Sequence, residues 1–243
     1  MQIRMYGSTD VGRVRKNNQD DLYFNASQGM VIVADGIGGR KGGEVASALA
    51  VEGMRKAFLE CESLRHEEIT PFLASSVDKV NQSILAKGRS DLQVAGLGTT
   101  MNCLLFVGDK IYIAHLGDSR TYLYYKGNLW QLTLDHSVEV YVGRGWLPQE
   151  AITNGGRPTA LVRSLGLSEQ CEVDIYEKTI RPGEVYITCS DGLTGMVKDK
   201  KIASVIRDNS HRLDAVPRLL VAEANRKGGR DNITVVISAV VAD

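Results

Sequence analysis

Five short segments, far apart in a chain of 243 residues, set a carboxylate among glycine, asparagine or serine neighbours. They are Arg15-Lys16-Asn17-Asn18-Gln19-Asp20, Asp35-Gly36-Ile37-Gly38-Gly39, Gly117-Asp118-Ser119-Arg120, Ser190-Asp191-Gly192 and Gly228-Gly229-Arg230-Asp231-Asn232. Taken singly, an Asp-Gly pair after a strand reads as a turn, because both residues favour turn dihedrals. Together they read as one site. Two unit charges about 4 Å apart repel by roughly 4 kcal/mol at an effective dielectric of 20, so converging carboxylates keep protons or bind hard cations. Asp35, Asp191 and Asp231 with one backbone carbonyl suit Mg²⁺ or Mn²⁺. Two such ions acidify a water and orient a phosphoryl oxygen, and the planar fork of Arg15 matches a phosphate. The pattern implies a metal-dependent hydrolase.

These residues need strand ends and tight turns to bring them together. Met30 to Ala34 is continuously apolar, as expected of a strand buried on both faces, and is read as stopping at Asp35-Gly36. A helix is predicted from about Gly43, with Val45, Ala48, Leu49, Val51, Met54 and Phe58 as its apolar face. A second is predicted to open with Thr70 as N-cap and Pro71 at the first helical position, carrying a stripe of Phe72, Leu73, Val77, Val80 and Ile84. Met101 to Val107 and Lys110 to Leu116 flank Gly108-Asp109, a hairpin signal. Thr121 to Tyr125 and Leu129 to Leu132 flank Lys126-Gly127-Asn128, a second hairpin. Residues 134 to 166 read as irregular, with weak helix near Pro148 to Ile152. Val185 to Cys189 is a strand ending at Asp191. Two helices follow, around Ile202 and around Leu219, the latter stopped by Gly228-Gly229, and Ile233 to Val241 is the last strand. Hairpin-linked strands alternating with helix pairs give an α+β class.

Composition narrows the function classes. Lys plus Arg equals Asp plus Glu, so the formal net charge is zero, and neither nucleic acid nor a membrane surface is an expected partner. The first residues show no signal-peptide core and no run approaches the roughly 18 apolar residues of a membrane span; the expectation is a cytoplasmic protein. Cys61, Cys103, Cys171 and Cys189 show no paired spacing, and the four histidines are scattered, so neither disulfides nor zinc is expected. With no linker or repeat, a single domain over 1-243 is expected.

The order of the motifs resembles the metal-dependent protein phosphatase (PPM, type 2C) family in its compact bacterial form. The resemblance runs from Thr9-Asp10-Val11-Gly12 to Asp231-Asn232-Ile233-Thr234 and includes Gly98-Thr99-Thr100, Asp135-His136-Ser137 and Arg163-Ser164-Leu165-Gly166. It implies a four-layer α-β-β-α sandwich with two central, mostly antiparallel sheets and a flap over about 138-162. By the resemblance, Asp35 bridges two Mn²⁺ or Mg²⁺ ions, the Gly36 carbonyl binds the second, and Asp191 and Asp231 complete the first. Asp118, with Asp191, matches a third, weaker site; Arg15 holds the phosphate and Asp20 orients water on the metals. The implied reaction is hydrolysis of phosphoserine or phosphothreonine without a phosphoenzyme. A monomer is expected, its partners being phosphorylated proteins, among them a serine/threonine kinase and that kinase's substrates. Gln19 stands where the family usually has Glu, which predicts weaker binding at the second ion, and Ile37 where many eukaryotic members carry a histidine.

Two rivals follow from the residues. Gly117-Asp118-Ser119, with Asp208 and His211 downstream, resembles a serine-esterase nucleophile block, but leaves Asp35, Asp191 and Asp231 without a role. A catalytically weak phosphoprotein-binding or sensor module rests on Gln19 and the flap.

Overall fold

The computed structural model describes residues 1–37, 42–60, 64–153 and 156–242. Gly38, Gly39 and Cys61, which figure in the sequence reading, lie outside the described residues, as do two positions of the flap segment. The chain forms β1 (Gln2–Asp10), β2 (Asp20–Asn25), β3 (Met30–Ile37), α1 (Gly42–Leu59), α2 (His66–Ser90), β4 (Gly98–Thr99), β5 (Met101–Val107), β6 (Lys110–Leu116), β7 (Arg120–Tyr125) and β8 (Asn128–Gln131). It continues with α3 (Val138–Gly143), α4 (Glu150–Thr153), β9 (Asp174–Thr179), β10 (Val185–Cys189), α5 (Asp191–Thr194), α6 (Asp199–Asp208), α7 (Val216–Arg226) and β11 (Ile233–Val241). One sheet has the order β1-β11-β10-β7-β8 and the other β2-β3-β5-β6-β9, with β4 paired to β3. The pairings between these strands are antiparallel.

Strand alternation explains the layers. On β3, Met30, Ile32 and Ala34 join the core under α1 and α2, while Val31 and Val33 face the other sheet. An uninterrupted apolar strand is what burial on both faces requires. Leu104, Ile113, Tyr186 and Val236 fill the space between the sheets. On the far side, Ile187, Val235 and Ile237 pack against Ile206, Val216 and Leu220 of the C-terminal helices. The result is the expected α-β-β-α sandwich.

Several expectations are corrected. β3 does not stop at Asp35: it continues to Ile37, with Asp35 opposite Asp20 and Gly36 opposite Thr99. Strand pairing on both sides overrides the turn preference of Asp-Gly. In α1, Val51 and Met54 are buried and Val45, Leu49 and Phe58 pack against the core as predicted, but Ala48 is exposed and Ala46 and Ala50 take the buried positions instead. Small residues let α1 approach closely: a Cβ on Gly53 would lie 2.7 Å from Val80 of α2. α2 begins at His66, with the Arg65 N–H donating to the Glu68 carboxylate at 2.9 Å, and Pro71 lies inside the helix. The second hairpin turns on two residues, not three, because Tyr125 pairs with Asn128. Lys126 and Gly127 both take positive φ (49° and 84°), the geometry of a type I′ turn.

Candidate metal and phosphate site

The two sheets deliver their carboxylates to one edge. Register on β2 and β3 sets Asp20 against Asp35. Asp118 sits in the turn between β6 and β7, Asp191 at the start of α5 directly after β10, and Asp231 just before β11. Asp35, Asp118, Asp191 and Asp231 line one cleft of about 430 Å³, with Gly36 and Gln19 beside them and Arg15 and Arg157 also on its walls. Asp20 lies beneath, 8% exposed, and its Oδ2 accepts from the Ser190 hydroxyl at 2.7 Å.

Side chains outside the predicted set hold these residues in place. Asn232, 4% exposed, accepts from the Gln19 N–H at 2.8 Å and donates to the Val11 and Asn17 carbonyls at 3.0 and 2.9 Å. It ties the segment bearing Arg15 and Asp20 to the one bearing Asp231. Thr100 Oγ1 accepts from the Asp35 N–H at 3.0 Å, and Thr99 Oγ1 donates to the Asp35 carbonyl at 2.9 Å. Each of these residues lies within a motif already quoted, which was the available signal; their role as braces depends on pairings across the fold that no local spacing displays. Arg157, from the far end of the flap segment, was missed because a lone arginine in an irregular stretch carries no pattern.

Electrostatics show a site short of positive charge. Burial, then the neighbouring charges of Asp20, Asp191, Asp118 and Asp231, holds the Asp35 carboxyl well above the usual carboxylate range. Burial first, then Asp191 and Asp135, pushes Asp118 up to about 7. Asp20 is pushed up to about 6 by burial, against the Ser190 hydrogen bond and with the charges of Asp191 and Asp231. Asp191 is raised by burial and by Asp231. Among the described residues, buried Asp20 Oδ1 and Asp191 Oδ1 have no hydrogen-bond partner. Arg15 and Asp231, foreseen on phosphate and metal respectively, bond to one another at 2.7 Å. Their side chains are 50% and 34% exposed, so the pair is worth at most about 1 kcal/mol and yields readily to a stronger cation.

Among the described residues, no three His, Cys, Asp or Glu side chains are already drawn together into a finished metal shell. The donor chemistry nonetheless fits Mg²⁺ or Mn²⁺: all-oxygen, acidic, with unpartnered buried oxygens facing a cleft. The esterase reading is overturned, since Ser119 is wholly buried and its hydroxyl is bonded to that of Thr100 at 2.8 Å.

An α-β-β-α sandwich with a carboxylate cleft at the edge of both sheets defines a metal-dependent phosphoryl hydrolase. A family model described as Protein phosphatase 2C matches residues 12–223. The serine/threonine phosphatase stp of Listeria welshimeri is 36% identical over 234 residues, covering 94% of this chain and 92% of that protein. The S. agalactiae serine/threonine phosphatase structure superposes with a TM-score of 0.88 at 33% identity, over 98% of this chain and 99% of that one. A catalytic domain of the phosphatase PstP in complex with two manganese ions gives a TM-score of 0.85 at 30% identity, over 99% of each chain. The chain belongs to the protein phosphatase 2C family and is a metal-dependent protein phosphatase. No helix among the described residues is long and apolar enough to cross a membrane.

Proposed function

We propose that this cleft removes phosphate from phosphoserine and phosphothreonine in proteins, with a serine/threonine kinase and its substrates among the partners. The protein is a serine/threonine phosphatase acting as a single domain over 1-243, as a monomer, in the cytoplasm. The observation that carries the reading is the convergence of Asp35, Asp191 and Asp231 from two different sheets on one cleft. Asp35, Asp191, Asp231 and the Gly36 carbonyl would hold two Mn²⁺ or Mg²⁺ ions, and Asp118 with Asp191 a third. When bound, the ions supply positive charge to the phosphoryl oxygens and acidify a water molecule.

The chain's own residues supply the rest. Arg15, released from Asp231, offers two N–H groups to the equatorial phosphoryl oxygens. Asp20, held by Ser190 at the base of the cleft, is placed to orient water. Thr99, Thr100 and Asn232 fix the backbone under these groups, so little reorganisation is needed when charge develops on the phosphoryl group. Ile37, 39% exposed on the cleft wall, cannot donate a proton, so the leaving alkoxide takes its proton from water or another group. The test is phosphate release from a phosphothreonine peptide with Mn²⁺, then with excess chelator, then by Asp231→Asn. Release that needs Mn²⁺ and falls to background in Asp231→Asn is the expected outcome; undiminished release under chelator would refute the reading.

A further inference from the structure

A chain of polar groups outside the cleft joins the flap segment to the turn that carries Asp118. His136, wholly buried, exchanges two hydrogen bonds with Gly117: its N–H donates to the Gly117 carbonyl at 2.8 Å, and its Nδ1 accepts from the Gly117 N–H at 3.2 Å. Because Nδ1 accepts, the ring proton sits on Nε2, which donates to Asp174 Oδ2 at 3.1 Å. Asp174, on β9, also accepts from the Tyr176 hydroxyl at 3.1 Å and from Arg163 at 2.9 Å. The Arg163 guanidinium lies over the ring of Tyr141 in α3, 5.8 Å from its centre. Tyr141 meets His136 and Trp146 edge to face, at 6.2 and 5.1 Å.

Both ends of the flap segment are stitched at the same place. The Val162 N–H donates to the His136 carbonyl at 2.8 Å, and the Val138 N–H to the Ala160 carbonyl at 2.9 Å. On its other side the turn is fixed by Thr100: Gly117 has φ +102°, and a Cβ there would lie 2.5 Å from the Thr100 methyl. The turn is thus held between Thr100 and His136, and His136 in turn by the groups that hold α3.

We propose that His136, Asp174 and Arg163 form a positioning relay that couples the docking of the flap to the placement of Asp118. The relay rests on the reading of Asp118 as a metal ligand. Arg163 lines a neighbouring cavity with Leu116, Cys171 and Glu172 rather than the metal cleft, so its side chain reaches the turn of Asp118 through Asp174 and His136 rather than by direct contact with the cleft.

The chain has two tryptophans, so Trp130→Phe leaves Trp146 as a reporter of the flap. In that background, Arg163→Met, Arg163→Lys, Asp174→Asn and Asp118→Asn are compared by Trp146 emission and acrylamide quenching, and by calorimetric titration of metal-free protein with Mn²⁺. Asp118→Asn is expected to remove the weakest Mn²⁺ step and so identify it. Arg163→Met and Asp174→Asn are expected to red-shift Trp146, raise its quenching and weaken that same step about ten- to a hundredfold, the usual effect of losing a residue that orients a ligand. Arg163→Lys, which keeps the charge at Asp174, is expected to lose less of both. A Trp146 that loosens while every Mn²⁺ step is unchanged would refute the coupling, as would a weakened step with Trp146 unmoved, or neither signal moving. If all steps survive Asp118→Asn, the ligand reading of Asp118 fails and the relay falls with it. Turnover of p-nitrophenyl phosphate in the parent protein checks the phosphatase reading separately.

Discussion

Arg15 and Asp231 are bonded to one another on the cleft wall, and the proposed function gives each a further role, Arg15 on the phosphate and Asp231 on a metal ion. On the proposed role, removing Arg15 deletes a charged donor to phosphate, worth about 1.5–3 kcal/mol. Arg15→Ala is therefore expected to lower kcat/KM ten- to a hundredfold, mainly through KM, in phosphopeptide assays. Because the pair itself is exposed, the same variant should change Mn²⁺ affinity by less than about fivefold; a large loss of metal binding would mean that Arg15 holds the metal site together instead of binding substrate. Gln19 presents a complementary case. It lines the cleft beside Gly36, and its backbone is already fixed by Asn232. Gln19→Glu adds a carboxylate without moving the chain, so Mn²⁺ titration is expected to show tighter binding. Equal or weaker binding would show that the amide is as good a neighbour as an acid.

Elements turn these residues into a site, and here the register of β3 matters most. A Cβ on Gly36 would collide with the Gly43 carbonyl at the start of α1 and lie 2.6 Å from the Gln19 carbonyl. Gly36→Ala is expected to cost about 1–3 kcal/mol in urea unfolding, as overpacking does, and to displace Asp35. β6 carries a second constraint. His115, wholly buried between Asn102 and the Leu134 carbonyl, is pushed down to about 4 by burial and then by His136. Its folded pKa is lowered, so its contribution to stability is complete above the unfolded value of about 6.5 and is lost as pH falls toward 4. The loss approaches 1.4 kcal/mol per pH unit within that window; urea midpoints of His115→Gln should fall less steeply than wild type between pH 6.5 and 5. Strands rich in β-branched and apolar residues, such as Val185–Cys189 and Ile233–Val241, were legible in the sequence to the residue. β1, β2 and β9 were not read as strands, because they lie at sheet edges and mix polar with apolar residues. The start of α2 was misplaced because Thr70-Pro71 imitates a helix start, while the bond that opens the helix comes from Arg65 and Glu68.

At the scale of the molecule, the clustered carboxylates are divided between the sheets: Asp20 and Asp35 belong to one, while Asp191 and Asp231 flank strands of the other. The apolar layer between the sheets holds them together through their middles; at this edge the Ser190–Asp20 and Asn232–Gln19 hydrogen bonds join them, beside carboxylates that face carboxylates. The motifs, through the family resemblance, disclosed which residues would meet at the edge of the two sheets, but not the register that sets Asp20 against Asp35, since pairing between strands leaves no mark on local spacing. Any cation bound by both sets is therefore a cross-link. At a free concentration of 100 times Kd, one bound ion stabilises by about 2.7 kcal/mol, which for a protein of this size is a rise of about 5–10 °C in Tm. Mn²⁺ is thus expected to raise Tm by that amount, and hydrogen exchange should slow first at Asp35–Ile37, Asp191–Thr194 and Ile233–Val235, ahead of the helices. Asp231→Asn should abolish most of the shift while keeping the metal-free Tm close to wild type or above it, because one repelling carboxylate is gone. A full Mn²⁺ shift in that variant would mean that the stabilising ion binds away from the sheet interface.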